Sequence, residues 1–358
     1  MMSRRLNYLD NIRWITVVIV VIYHIIYMFN CSGVISNMDV HGIPQMDAFL
    51  VFVYPWFMCL LFLVSGISAR YSLQKRTNKE FLKDRAKRIL VPSILGIFIY
   101  GWVSGLITNQ YADMFTGNGD KIPGIIKYFI YCMMGIGPLW FCHVLFIGAL
   151  LLAIIIKIDK KDKLWNFCGK INLPVVFFLV VVVWGSAQIF NTPLITVYRF
   201  GIYLLMFFLG YFVFSHNKII ESLEKISVIL GIIALCIGVA YVFTYYGTNY
   251  ADNSILQNIF TNIYLWVAIL AVLGLGKKFL DFESSFSNYM TKNNFNFYVL
   301  HYTVELVIGY FLVNCLKLPF AFNYVIIFVG TVIVLPLLTE IIKRIPVLRF
   351  CIFGISKK

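Results

Sequence analysis

The chain has 358 residues, 61% of them hydrophobic and 13% charged, with a mean hydropathy of +0.84. Soluble domains carry roughly 45–50% apolar and about 25% charged residues, so this chain lacks the polar side chains to cover a water-facing surface. Its 30 Lys and Arg against 16 Asp and Glu give a net charge of +14, but a nucleic-acid-binding face needs a polar surface that this composition does not supply. Membrane lipids with anionic headgroups are the expected partner instead.

In chain order, Arg4 and Arg5 precede an apolar run from Trp14 to Phe29. No small-residue cleavage site follows it, so the run reads as an uncleaved first membrane helix. A membrane-spanning helix needs about 20 apolar residues. Ten segments meet that length: 12–30, 47–69, 89–109, 137–157, 174–191, 199–215, 226–246, 258–276, 295–315 and 322–342. Gly137-Pro138 and Pro193 interrupt the fourth to sixth. The intervening loops are too short for a soluble domain, and no internal repeat is visible. The expected fold is therefore all-α: one polytopic transmembrane helical bundle of about ten helices over residues 1–358, multi-pass in a cell membrane.

Placing the N-terminus in the cytoplasm leaves Lys121, Lys127, Arg199 and Lys317 outside and the other 26 of the 30 basic residues inside. Cytoplasmic loops are enriched in Lys and Arg, so both termini are predicted to be cytoplasmic. The eight cysteines never come within four residues of one another. Neither a disulfide framework nor zinc-ligand spacing is read.

The few charges inside the spans carry the chemistry. The first helix contains Leu9-Asp10-Asn11-Ile12-Arg13 and then His24. Arg13 and His24 are eleven positions apart, about three turns or roughly 16 Å, and return to nearly the same helix face. Asp10 stands three residues before Arg13, within ion-pairing reach. A charge at mid-membrane costs about 2.5–3.5 kcal/mol on insertion scales, which makes such residues functional candidates. The bland alternatives are a histidine satisfied by a neighbouring helix and an arginine anchored at the interface. Lys83-Asp84-Arg85-Ala86-Lys87-Arg88 precedes the third span and places Arg85 and Arg88 on one face. Guanidinium groups grip phosphates bidentately, and a lipid-headgroup anchor is the other reading. In the ninth span His301 and Glu305 are at i and i+4, the spacing of an imidazole–carboxylate pair or a helix–helix tie.

These residues resemble the membrane-bound acyltransferase-3 family, which includes polysaccharide O-acetyltransferases and glucan succinyltransferases. Arg13 followed by His24 is similar to the family's Arg-x10-His signature. Arg85-x-x-Arg88 before Pro92 is similar to its cytoplasmic Arg-x-x-Arg motif. Phe62-Leu63-Val64-Ser65-Gly66, Leu139-Trp140-Phe141 and Tyr298-Val299-Leu300-His301 resemble further landmarks, while His143 departs from the pattern.

The resemblance implies transfer of an acetyl or succinyl group from cytoplasmic acyl-CoA to a hydroxyl of a cell-surface or lipid-linked carbohydrate. His24 is then the expected general base, with Arg13 as a further anion contact of the catalytic set and Asp10 fixing Arg13 by pairing. Arg85 and Arg88 would hold the CoA phosphates, and His301, Glu305 and Trp140 would contact substrate. No metal is implied. The competing class is a proton-coupled transporter or flippase of a glycan-related or small anionic substrate, against which stands the lack of an inverted repeat.

Overall fold

The computed structural model describes residues 6–112, 114, 115, 117, 119–159, 161–192 and 198–356. Arg4, Arg5 and Pro193 lie outside them. The described chain is built from helices: α1 (Asn7–Tyr27), α2 (Pro44–Leu73), α3 (Asn78–Ala112), α4 (Gly124–Met134), α5 (Gly137–Ile158), α6 (Leu173–Ala187), α7 (Phe200–Phe212), α8 (Asn217–Tyr245), α9 (Ile259–Phe279), α10 (Ser285–Leu316), α11 (Phe320–Arg344) and the short α12 (Pro346–Phe353). Eight of these are long and apolar enough to cross a membrane: α1, α2, α3, α5, α8, α9, α10 and α11.

Eight of the ten expected segments fall on these long helices, and the middle of the chain differs. The fifth and sixth segments form the shorter α6 and α7, of 15 and 13 residues, and α4 is an apolar helix where a loop was expected. The cause is local. Phe190 takes a left-handed φ of +57° and an isolated bridge joins Asn191 to Arg199, which ends α6 short of residue 191, whereas α7 starts at Phe200 and stops at Phe212, three residues before its apolar run does.

Proline shapes the long helices. Pro55 has no N–H to give, and α2 opens into a turn at 54–56 before resuming at Phe57. Ahead of Pro92, α3 widens so that the Val91 N–H reaches back five residues to the Ala86 carbonyl. Wide turns of this kind cluster at functional positions, and this one carries Arg88.

The described residues within 1–18, 51–84 and 144–292 form one compact unit, and those within 19–50, 85–143 and 293–358 form a second. In the first, α2 and α7 meet at glycines. A Cβ at Gly66 would overlap the Phe207 carbonyl, and one at Gly210 the Leu63 carbonyl. Gly66 of the Phe-x-x-Ser-Gly landmark thus serves close backbone approach, the usual use of small residues between membrane helices. In the second unit, Gly101 and Gly105 of α3 do the same against Gly135 and the Tyr131 backbone at the end of α4, and α12 packs on Val91–Gly96. Outward-facing Ile229, Ile232, Leu235 and Phe243 on α8, and Val325, Val332 and Leu337 on α11, are exposed. Rows of exposed branched and aromatic side chains are what lipid, as solvent, allows.

Candidate active site

The second unit joins the two histidines singled out in the sequence. His24, near the end of α1, places Nδ1 2.8 Å from the Val20 carbonyl. His301, fully buried on α10, places Nδ1 2.6 Å from the Tyr298 carbonyl and Nε2 3.2 Å from His24 Nδ1. A carbonyl oxygen only accepts, so His301 Nδ1 carries the hydrogen and its Nε2 keeps a lone pair. His24 Nδ1 then faces two acceptors and must carry a hydrogen itself. In the neutral pair this leaves the unprotonated nitrogen of His24 at Nε2. The arrangement produces a base of fixed tautomer.

The expected pairing of His301 with Glu305 does not form. The Tyr298 carbonyl, one turn back, takes His301 Nδ1, and His24 takes Nε2. Glu305 is fully buried on the same helix, and neither carboxyl oxygen has a hydrogen-bond partner among the described residues. Buried polar atoms are nearly always paired, so Glu305 is a group in want of a donor.

Aromatic rings fix the histidines. Tyr302 lies tilted 4.8 Å from the His24 ring, and Tyr23 stands edge-on to it at 5.2 Å. The Tyr302 hydroxyl donates to Asn37 Oδ1, and Asn37 Nδ2 donates to Thr108 Oγ1 at 2.6 Å. The Tyr298 hydroxyl donates to the Pro138 carbonyl at 2.6 Å, and its ring meets Phe141 edge-on. Gly137 has a φ of +43° and an ideal Cβ there would stand 3.2 Å from the Tyr302 ring. The Leu139-Trp140-Phe141 and Tyr298–His301 landmarks are therefore packed together. Trp140 is buried beside Phe141. His143 is held by the Ser93 backbone.

Arg85 and Arg88 belong to the same unit, at the entry to the wide turn of α3; Arg85 is half-buried and Arg88 exposed. Gly354, at the end of α12, abuts the Lys87 carbonyl and the Arg88 backbone. That docking brings the C-terminal segment, with Arg349 on α12, to the Arg-x-x-Arg turn. Sequence reading missed this neighbour because a short helix after the last span has no motif of its own. It also missed Asn37, which sits in an irregular loop.

Asp10 and Arg13 lie in the first unit. Arg13 Nη1 donates to Asp10 Oδ1 at 3.1 Å and Nη2 to Ser68 Oγ at 2.5 Å, so the i,i+3 ion pair expected from the sequence is formed. Among the described residues no group of three or more His, Cys, Asp or Glu stands together as a metal cluster.

The acyltransferase-3 profile, described as an acyltransferase domain, matches residues 6–340. The chain belongs to the acyltransferase-3 family. It is an integral, multi-pass membrane protein of that family. It is also similar to the glucans biosynthesis protein C of Escherichia coli (strain SMS-3-5 / SECEC), 24% identical over 380 aligned positions that cover 98% of this chain and 95% of that protein. No solved structure matches.

Proposed function

We propose that this acyltransferase moves an acetyl or succinyl group from acyl-CoA to a hydroxyl of a carbohydrate, with His24 Nε2 as the general base. The observation that carries the reading is the hydrogen-bond chain from Tyr298 through His301 to His24, which leaves a lone pair on one defined nitrogen. A glucan-related acceptor is favoured by the printed name of the relative.

An alcohol attacks a thioester slowly until its proton has somewhere to go. His24 Nε2 takes that proton as the oxygen bonds to the thioester carbon. The tetrahedral adduct then collapses, the C–S bond breaks, and the imidazolium returns the proton to the departing thiolate. During the charged interval His24 Nδ1–H donates to His301 Nε2, so His301 orients the ring and stabilises its cation. Arg85 and Arg88 hold the donor's phosphates, and Arg13, already neutralised by Asp10, positions the start of α1. Glu305 accepts a hydrogen bond from the incoming substrate, and Trp140 walls the site. Both termini are cytoplasmic in this reading, as the partition of basic residues supports.

The test is acyl transfer by the reconstituted protein from labelled acetyl-CoA or succinyl-CoA to a gluco-oligosaccharide. Label in the oligosaccharide together with released CoA is expected. Vesicle flux of the oligosaccharide with no CoA release would make the protein a transporter instead.

A further inference from the structure

Beside the Tyr302–Asn37 hydrogen bond lies a cavity of about 320 Å³, within the volume range of small-molecule sites. Ser36, Asn37, Asp39, His41, Thr108 and Tyr111 supply its polar lining, and among the described residues no Lys or Arg lines it. The loop that forms it is held at many points. Asn30 Nδ2 donates to the carbonyls of Tyr27 and Val34, and the His41 ring meets the Asn30 carbonyl through Nδ1. Ser32 Oγ donates to Asp47 Oδ2 at 2.5 Å, and Ser36 Oγ to the Met38 carbonyl at 2.6 Å. The cavity is therefore a built feature of the second unit.

Its chemistry selects among ligands. Asp39 contributes a carboxylate that no Lys or Arg among the described lining residues offsets, which disfavours phosphates and carboxylates. His41 Nδ1 is committed to a carbonyl, which leaves Nε2 as the ring nitrogen open to a ligand. The Tyr111 hydroxyl already accepts from Asn314 Nδ2 and retains its own hydrogen to donate. Acceptors, hydroxyls and one aromatic face suit a neutral molecule rich in hydroxyl groups. The site also has an address: Asn37 lines it and binds the Tyr302 hydroxyl, and the Tyr302 ring is 4.8 Å from His24.

We infer that this cavity seats a neutral, hydroxyl-rich segment of the acyl acceptor, one aromatic ring away from the base. The assignment rests on the acyl-transfer reading for its role, but the cavity's ligand class is testable by binding alone. The probe is a linear glucose hexamer, observed by saturation-transfer NMR on the full chain in lipid nanodiscs. Wild type is expected to bind it, Ala112→Trp to fill the cavity and weaken binding at least about tenfold, and Asp39→Ala to weaken it by less. Ala112 and Asp39 are both exposed, so these substitutions spare the packed interior. Excess inorganic phosphate should leave binding unchanged. Failure of wild type to bind, equal binding by both variants, or displacement by phosphate would each overturn the assignment. Binding that depends on the cavity, in a protein that never transfers an acyl group, would leave the ligand class standing and remove the acyl-transfer reading.

Discussion

Two buried polar clusters, one in each unit, put similar residues to opposite use. In the first unit Arg70 forks onto Asp162 with two bonds of 3.0 Å, donates to the Tyr211 hydroxyl, and stacks over Trp165 at 4.1 Å. Trp165 is itself fixed by Ser215 and by the His216 ring, stacked at 3.9 Å. Both amino groups of that guanidinium have partners. In the second unit, Glu305 has both oxygens unpartnered among the described residues, and the deduced tautomer leaves His24 Nε2 without a hydrogen. Satisfied buried charges hold a fold together; unsatisfied ones are kept because something else completes them. Arg70 leaves only its Nε without a partner among the described residues, whereas Glu305 leaves both charge-bearing oxygens; burial and charge type alone do not draw that difference.

The strongest way to break that contrast is at His24, the proposed base. His24→Ala is expected to lower acyl transfer by about 10²–10⁴-fold, the usual contribution of a general base, with membrane insertion and thermal stability retained. Transfer rates on purified protein decide it. His301→Ala removes a hydrogen bond to a charged imidazolium, about 1.5–3 kcal/mol, so kcat should fall about 10–100-fold with the donor KM little changed. His301→Gln keeps an acceptor in reach and should recover part of the loss, which a purely packing role would not predict.

Arg85→Ala with Arg88→Ala should raise the KM for acyl-CoA about tenfold or more while sparing the acceptor KM. An unchanged donor KM reduces the pair to lipid anchors.

The paired cluster should behave oppositely. Arg70→Ala is expected to leave kcat unchanged and to lower stability by about 1–2 kcal/mol, measured as a reduced Tm. That figure lies below the cost of breaking a fully buried pair because the Asp162 side chain is 44% exposed. The smallest effect belongs to pH. Burial, with Arg70 adding to it, pushes His216 below its ordinary 6.5. The unfolded chain therefore binds the proton first, and stability falls slightly as pH drops below about 6.5. A Tm that rises on acidification would contradict this.

Much of the scaffold was legible in the sequence because its causes are local. Apolar length marks the long helices, and the three-residue spacing of Asp10 and Arg13 already implies their ion pair. The middle of the chain was harder. A left-handed residue and a backbone bridge end α6 early, α7 stops at Phe212 inside its apolar run, and composition carries no trace of either. The site divides in the same way. His24, Arg85, Arg88 and His301 stand out as polar groups in or beside apolar runs. The contact between His24 and His301 joins positions 277 residues apart, and no local pattern encodes it. The i,i+4 spacing of His301 and Glu305 pointed to a pair, yet a backbone carbonyl three residues back outcompeted the carboxylate. Asn37 was invisible because loops have no period to read.

The central claim is that His301 fixes His24 with its lone pair on Nε2. Nitrogen-15 NMR of histidine-labelled protein in lipid, with His24 assigned by its loss in His24→Gln, measures this directly. The account predicts a protonated Nδ1 and an unprotonated Nε2 for His24 at neutral pH, a preference that disappears in His301→Ala. A hydrogen on His24 Nε2 of the neutral ring, or a tautomer indifferent to His301, would contradict it.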